Sequence, residues 1–157
     1  MEAAELERVT MEADAAIAAA RGRLVEAVRR ASAEGMTQRE IARRSNRSQA
    51  EINRLLRFHG TTPHARRLRE RRVELTDLLG RRGLTNVRVF GSVAAGADRE
   101  SSDIDLLVTA THPLGLLAQA SVEIEATDLL GIPVDLVFDD AIRPDLRTRI
   151  LATAVPL

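Results

Sequence analysis

The sequence contains neither cysteine nor lysine, and each absence excludes a class of chemistry. Without cysteine the chain can form no disulfide, no thiolate nucleophile and no zinc site built on sulfur. All 23 basic residues are arginines, so a phosphate-binding loop that depends on a lysine is excluded as well. Aromatic residues make up only 2% of the chain, which argues against binding nucleic acid by stacking bases on aromatic side chains.

Long apolar runs are missing too. No stretch is long enough to span a membrane, and the acidic N-terminus is unlike a signal peptide, so we expect a cytoplasmic protein. The 157 residues, 45% of them apolar, suffice for one medium domain or two small domains with packed cores.

A strong charge asymmetry lies beneath the net charge of zero. Residues 1–35 carry 5 arginines and 7 acidic residues, residues 36–82 carry 13 and 5, and residues 83–157 carry 5 and 11. A basic middle between acidic flanks indicates two separate tasks, with an anionic partner for the middle and cations or a basic partner for the end.

The N-terminal part of the chain is patterned as helices. Apolar residues recur at helical spacing through residues 2–33. Thr37, with Glu40 three residues later, predicts a capping box that begins a short helix, and Asn46 suits a left-handed turn after it. Ser48 is predicted to cap a second short helix.

Helices alternate with strands after a short linker at residues 59–63. The patterns predict a helix over residues 63–83, strands over 86–90, 102–110 and 132–138, and further helices over 113–131 and 143–155. This alternation indicates an α/β or α+β second domain.

Three aspartates interrupt the apolar strands of this second domain. Asp103 and Asp105 are two residues apart, so in a strand they point to one face. Asp135 lies within another strand, and if the two strands are neighbours the three carboxylates converge. Mg²⁺ favours such oxygen ligands, and phosphoryl transfer by two metal ions uses this arrangement. The plainer interpretation is a set of strand-end aspartates that face solvent, as we expect for Asp98 and Glu100.

A glycine–serine pair precedes the aspartates. Gly91 lets a phosphate approach the backbone, and the Ser92 hydroxyl offers it a hydrogen-bond donor. Gly91-Ser92, ten residues, then Asp103-x-Asp105 resembles the signature of the DNA polymerase β-like nucleotidyltransferases. The segment 63–157 is similar to the minimal nucleotidyltransferases, the antitoxins of HEPN/MNT toxin–antitoxin pairs.

This resemblance implies an α+β fold, with a mixed sheet in a nucleotidyltransferase domain over residues 63–157. It also implies that Gly91 and Ser92 hold the β- and γ-phosphates of a nucleotide. Asp103 and Asp105 would bind Mg²⁺, and Asp135 would complete a second metal site and help to deprotonate the acceptor. The implied reaction is the transfer of AMP from ATP to a hydroxyl, classically a tyrosine, of a HEPN toxin.

The chain departs from the family at Ala95, where many members have an arginine, unless Arg99 supplies that charge. The departure keeps open a transcriptional regulator whose nucleotidyltransferase domain only binds ATP or Mg²⁺. A small-molecule nucleotidyltransferase of the aminoglycoside-modifying type is a further alternative, although the chain has no additional domain to hold such an acceptor.

The segment 37–57 resembles a helix-turn-helix, which predicts a DNA-binding domain over residues 1–60. The side chains expected at the base edges are Gln49, Ala50, Asn53 and Arg54. The expected phosphate contacts are Arg43, Arg44, Arg47 and Arg57. The alternative is a helical bundle whose arginine face contacts a protein. Helix 2–33 could pair with a second copy, since such modules act as dimers; the protein is then a homodimer or a toxin–antitoxin hetero-oligomer.

The three histidines are not assigned to a site. Arg54-x4-His59 matches the arginine–histidine spacing of HEPN ribonucleases, but with 23 arginines we interpret the match as coincidence. His112, before a proline, is expected to be a loop residue. Nothing in the sequence places His64 near the other two.

Overall fold

A computed structural model describes residues 3–157 of the protein. The chain divides into two compact units, Met1–Leu56 and Arg57–Leu157. Residues 57–60, which the sequence placed with the N-terminal domain, fall in the second unit, where Phe58 is buried in the core. The first residue of the predicted helix 2–33 lies outside the described residues.

The first unit is built from three helices. Their bounds are Ala3–Ala33 for α1, Gln38–Ser45 for α2 and Gln49–Leu56 for α3. The predicted caps form, since the amide of Glu40 donates to the Thr37 hydroxyl and the amide of Glu51 donates to the Ser48 hydroxyl. Asn46 is left-handed, with φ 52° and ψ 47°, as predicted. A small apolar core joins the helices through Val28, Ile41, Ala42 and Ile52.

The second unit combines five helices with a four-stranded sheet. The helices are α4 (Pro63–Glu70), α5 (Arg72–Arg81), α6 (Gly91–Ala95), α7 (Leu116–Leu130) and α8 (Pro144–Thr153). The strands are β1 (Leu84–Phe90), β2 (Ile104–Ala110), β3 (Val134–Phe138) and β4 (Val155–Pro156). The α+β class is therefore confirmed.

The sheet is mixed, with strand order β3-β2-β1-β4. β1 is antiparallel to both β2 and β4, whereas β2 and β3 are parallel. One face of the central strands is fully buried, because Val89, Ile104, Leu106 and Val108 are all 0% exposed. This alternation places Asp105 and Asp135 on the other face of β2 and β3, together with the fully buried Leu107.

Two predictions of helix extent were wrong. The helix predicted over residues 63–83 is divided at Arg71, whose ψ of 13° departs from helical geometry. The closing helix ends at Thr153, and the chain then forms β4, in which Val155 pairs with Val89 and is 2% exposed. A two-residue strand carries no periodicity of its own, so it arises only from this pairing with β1.

Within residues 3–157, every helix is too short or too polar to cross a lipid bilayer.

Candidate active site

The turn from β1 into α6 brings the backbone of Gly91 against a carboxylate of β2. Phe90 pairs with Asp105 across the antiparallel ladder, and Gly91 follows with φ +70°. A Cβ atom built on Gly91 would lie 2.2 Å from Oδ2 of Asp105. Both the left-handed backbone and this approach require glycine. The Ser92 side chain is half-buried and makes no hydrogen bond within residues 3–157, so its hydroxyl is available to a ligand.

The register of β2 and β3 sets two of the predicted aspartates side by side. Asp105 pairs directly with Asp135 in the parallel ladder. Their neighbours on both strands, Ile104, Leu106 and Leu136 among them, turn into the core, so the two carboxylates lie on the opposite face. Asp103 directly precedes β2. It is exposed, as is Asp135, whereas Asp105 is half-buried.

The electrostatics of Asp105 reflect these neighbours. Burial raises the pKa of Asp105, and the negative charges of Asp135 and then Asp103 raise it further. Among residues 3–157, however, no three acidic or histidine side chains are gathered tightly enough to enclose a metal ion as they stand. Three carboxylates on one face are a suitable donor set for Mg²⁺, and their role as ligands stays a prediction.

Side chains of α7 hold β3 in place around Asp135. The amide of Val134 donates to the Thr127 hydroxyl over 3.1 Å, and the amide of Leu136 donates to Oε1 of Glu123 over 3.0 Å. Since β3 is at the edge of the sheet, these bonds satisfy amides that would otherwise lack a strand partner. They fix the backbone on both sides of Asp135, a contribution that the sequence pattern did not indicate.

The loop between Ser92 and Asp103 has its own hydrogen bonds. The amide of Ala97 donates to the Ser92 carbonyl over 2.9 Å. Arg99 and Ser102 close a turn, in which the Arg99 amide donates to the Ser102 hydroxyl over 2.8 Å. Ala95 is exposed, and the exposed Arg99 guanidinium has no partner in the described part of the chain. Arg99 is therefore free to supply the positive charge that Ala95 lacks.

One expectation for this loop was wrong. Asp98, interpreted from sequence as a solvated charge, has a side chain only 2% exposed, and its Oδ2 lies 3.4 Å from Nδ1 of His64. His64 is the second residue of α4, and its side chain is 12% exposed. The pair spans 34 positions of sequence, and no local pattern announces it. Glu100, by contrast, is exposed as predicted.

The first unit exposes the residues predicted to contact DNA. In α3 the side chains of Gln49, Asn53 and Arg54 are all exposed. Arg54 has no ion-pair or hydrogen-bond partner within the described chain, so its guanidinium is available.

The predicted phosphate contacts are exposed but already paired. Arg43 and Arg44 both bind the Glu40 carboxylate, at 2.7 Å and 2.6 Å, and this holds the pKa of Glu40 down at about 2. Arg47 pairs with Glu51 at 3.1 Å. Binding to DNA phosphates would have to compete with these exposed ion pairs, which are individually weak.

A mixed sheet in which a glycine–serine turn faces carboxylates of two neighbouring strands defines a class, the nucleotidyltransferase domains. The family described as "Nucleotidyltransferase domain" matches residues 67–156, more than half of the chain. The protein belongs to this family and is a nucleotidyltransferase.

Several similar proteins have names that are more specific than the family description. A Methanocaldococcus jannaschii protein provisionally named a protein adenylyltransferase is 34% identical over 82 residues, which cover 52% of this chain and 88% of that protein. The protein adenylyltransferase MntA of Thermococcus cleftensis is 32% identical over 94 residues, covering 60% of this chain and 85% of that protein. A solved structure provisionally named a minimal nucleotidyltransferase is 44% identical, with a TM-score of 0.52 over 57% of this chain and 92% of its own.

Proposed function

We propose that this protein is an antitoxin that transfers AMP from ATP to a hydroxyl group of a partner HEPN toxin, in a reaction that requires Mg²⁺. The observation that carries the proposal is the register of β1, β2 and β3, which sets Gly91 against Asp105 and Asp105 beside Asp135. The relatives named as protein adenylyltransferases support the choice of a protein acceptor.

The phosphate end of the nucleotide is held at the turn after β1. Gly91 has no side chain to obstruct a phosphate, and the unpaired Ser92 hydroxyl donates to it. Arg99, exposed and without a partner in the described chain, adds a positive charge near the β- and γ-phosphates. Holding the triphosphate at a fixed position prepares the α-phosphorus for in-line attack.

The three carboxylates are the proposed metal ligands, and one of them also accepts a proton. Asp103 and Asp105 would hold Mg²⁺, and Asp135 would complete a second site. When bound, the cations would neutralise the negative charge of the phosphates during transfer. Asp135 accepts the proton of the acceptor hydroxyl, whose oxygen forms a bond to the α-phosphorus while the bond to the pyrophosphate oxygen breaks. The raised pKa of Asp105 supports a cation here, because a cation relieves the repulsion among the three aspartates.

The test of transfer uses ATP labelled on the α-phosphate. The protein is incubated with this ATP, Mg²⁺ and the product of the neighbouring gene, and the label on each protein is measured. We expect label on the partner, lost with EDTA and with Asp103→Ala. Label on neither protein, with ATP still bound, favours the nucleotide-binding regulator, for which Ala95 is the supporting feature. Label on an added aminoglycoside favours the small-molecule alternative.

We also propose that the first unit, Met1–Leu56, is a helix-turn-helix domain and binds the promoter of its own operon. The exposed and unpaired Arg54, beside Asn53 and Gln49 on one short helix, supports base contacts in the major groove. The exposed Arg43 and Arg47 support contacts to phosphates. A homodimer through α1 fits this proposal, since dimeric readers bind two half-sites.

The test of DNA binding is a gel shift with a promoter fragment. Arg54→Ala should abolish the shift, whereas Asp103→Ala should leave it unchanged because Asp103 belongs to the other unit. Undiminished binding by Arg54→Ala would contradict the assignment of α3 to the major groove.

A further inference from the structure

His64 and Asp98 form a buried pair that the transfer reaction, as described so far, does not use. Nδ1 of His64 lies 3.4 Å from Oδ2 of Asp98, and the two side chains are 12% and 2% exposed. Within residues 3–157, neither Nδ1 of His64 nor Oδ1 of Asp98 has a hydrogen-bond partner, so the two side chains are in ion-pair contact without a formed hydrogen bond. An imidazole and a carboxylate buried in this way depend on each other, because a buried polar or charged group without a partner costs stability.

The pair lies at the loop that separates the two halves of the active site. Residues 96–102 connect Ser92, on the phosphate side, to Asp103, on the metal side. Every backbone hydrogen bond described for this loop stays within residues 92–102. Within residues 3–157, the contact between Asp98 and His64 is therefore the only described polar link from this loop to another element, the helix α4.

We propose that His64 and Asp98 are a positioning pair for nucleotide transfer: they anchor the loop 96–102 to α4 and so fix the distance between Ser92 and Asp103. The inference rests on the proposed function of those two residues. His64 and Asp98 do not touch the nucleotide. They act through the loop, whose ends must hold the triphosphate and its metal in one geometry.

The anchoring side is rigid, which makes α4 suited to this task. The Thr62 hydroxyl caps α4 by accepting from the Ala65 amide, and Leu68 is fully buried. The guanidinium of Arg67 donates to the carbonyl of Leu130 at the end of α7. A side chain on the first turn of this helix can therefore hold the loop 96–102 in a fixed position relative to α4.

The experiment uses the full chain carrying His64→Ala, Asp98→Ala or both, with Glu100→Ala as the matched control. Glu100 is an exposed acid two residues along the same loop. Four quantities are measured at a temperature at which circular dichroism shows every variant folded. These are kcat and KM for AMP transfer to the toxin, the Kd for ATP with Mg²⁺, and amide hydrogen exchange of residues 96–102 without metal.

Each single variant should lower kcat about 10- to 100-fold and speed amide exchange in the loop, while Glu100→Ala changes neither. The double variant should be no worse than the more impaired single variant, because both remove the same link. His64→Gln, which keeps a donor for Asp98, should recover part of the loss. If the alanine variants do not fold, His64→Gln and Asp98→Asn take their place, with kcat lowered and loop exchange faster as the expected result.

Unchanged loop exchange, or a kcat within twofold of the wild type in both single variants, would overturn the inference. Independent, multiplying losses in the double variant would also overturn it, since they would mean that the side chains do not act together. Failure of the proposed function gives a different result: a wild-type protein that neither transfers AMP nor binds ATP with Mg²⁺ removes both proposals. A wild type that binds ATP without transfer still tests the pair through the Kd and loop exchange.

Discussion

Asp105 is half-buried beside two other carboxylates, and both circumstances disfavour its charged form. Burial is the larger cause of its raised pKa, followed by the charges of Asp135 and Asp103. A carboxyl group whose pKa is higher in the folded than in the unfolded protein lowers stability as pH rises through that interval, because the folded state holds the proton more tightly. At pH values above the pKa of Asp105 in the folded state, the metal-free protein retains the full loss of stability.

Replacing Asp105 should therefore separate stability from activity. We expect Asp105→Asn to raise the melting temperature of the metal-free protein at neutral pH and to reduce AMP transfer at least about 100-fold. The gain in stability should vanish at a pH below the unfolded pKa of an aspartate, about 3.9. Calorimetry across this pH range with EDTA is the measurement, and Glu100→Gln is the exposed control. A lower melting temperature at neutral pH would contradict the electrostatic account of Asp105.

Gly91 and Gly80 allow the effect of an added Cβ atom on stability to be compared at a tight position and at an open one. A Cβ on Gly91 meets Asp105 at a positive φ, so Gly91→Ala should destabilise the protein by at least about 1–2 kcal/mol and impair nucleotide binding. Gly80 lies within helix α5 with nothing near its missing Cβ, so Gly80→Ala should stabilise by about 0.5–1 kcal/mol. Urea titration of both variants measures these changes in the free energy of unfolding. Equal effects of the two substitutions would contradict the requirement for glycine at position 91.

At the scale of elements, β3 depends on α7. The strand is five residues long and lies at an edge, with a parallel partner on one side only. Glu123 and Thr127 supply acceptors to its outward amides. Gln119 strengthens the arrangement, because its side-chain amide donates both to Glu123 and to the carbonyl of Leu136. The position of Asp135 is thus set from the helix as well as from the sheet.

Glu123→Ala should accordingly affect both stability and transfer. The amide of Leu136 would lose its acceptor, which costs about 1–3 kcal/mol, and the looser strand would no longer hold Asp135 against Asp105. Glu123→Gln keeps an acceptor oxygen and should retain most of both properties. Asp128, exposed on the same helix, provides Asp128→Ala as control. The free energy of unfolding and kcat are measured together; a change in neither would show that β3 holds its register unaided.

At the scale of the whole molecule, charge is divided along the chain, and the basic segment extends from the first unit into the second. The acidic segment, residues 83–157, includes the three aspartates proposed to bind a cation. The basic segment, residues 36–82, includes α2 and α3 of the first unit and α4 and α5 of the second. This division fits one task for nucleotide and metal and another for an anionic partner. The two tasks should therefore respond to different variants and to different conditions.

Salt dependence tests that separation. A plot of log affinity for promoter DNA against log salt should lose about one unit of slope in Arg47→Ala, since one phosphate contact is removed. The slope should be unchanged in Asp103→Ala. AMP transfer, by contrast, should be lost in Asp103→Ala and unchanged in Arg47→Ala. Fluorescence anisotropy at several salt concentrations gives the slopes. If Asp103→Ala changed the slope and Arg47→Ala did not, the result would contradict DNA binding by the first unit.

Local patterns were sufficient for most helices and strands, whereas the roles of the candidate site residues stay predictions. Thr37, Asn46 and Ser48 predicted the caps and turn of α2 and α3, because capping involves only neighbours in the chain. The two-residue spacing of Asp103 and Asp105 predicted a shared face, because a strand alternates strictly. The sequence predicted that Asp135 lies beside Asp105 only if their two strands are neighbours, and it did not show which strands are neighbours.

The sequence by itself determined most of the helices and strands and their order, the carboxylates in two strands, and a glycine where only glycine fits. Tertiary structure alone decided that Asp105 lies beside Asp135, that Val155 extends the sheet, and that Asp98 is buried against His64. The reason is the range of the interactions. Helical and strand periodicities are set by residues a few positions apart, whereas these contacts join segments 30 or more positions apart, whose meeting depends on how the whole core packs.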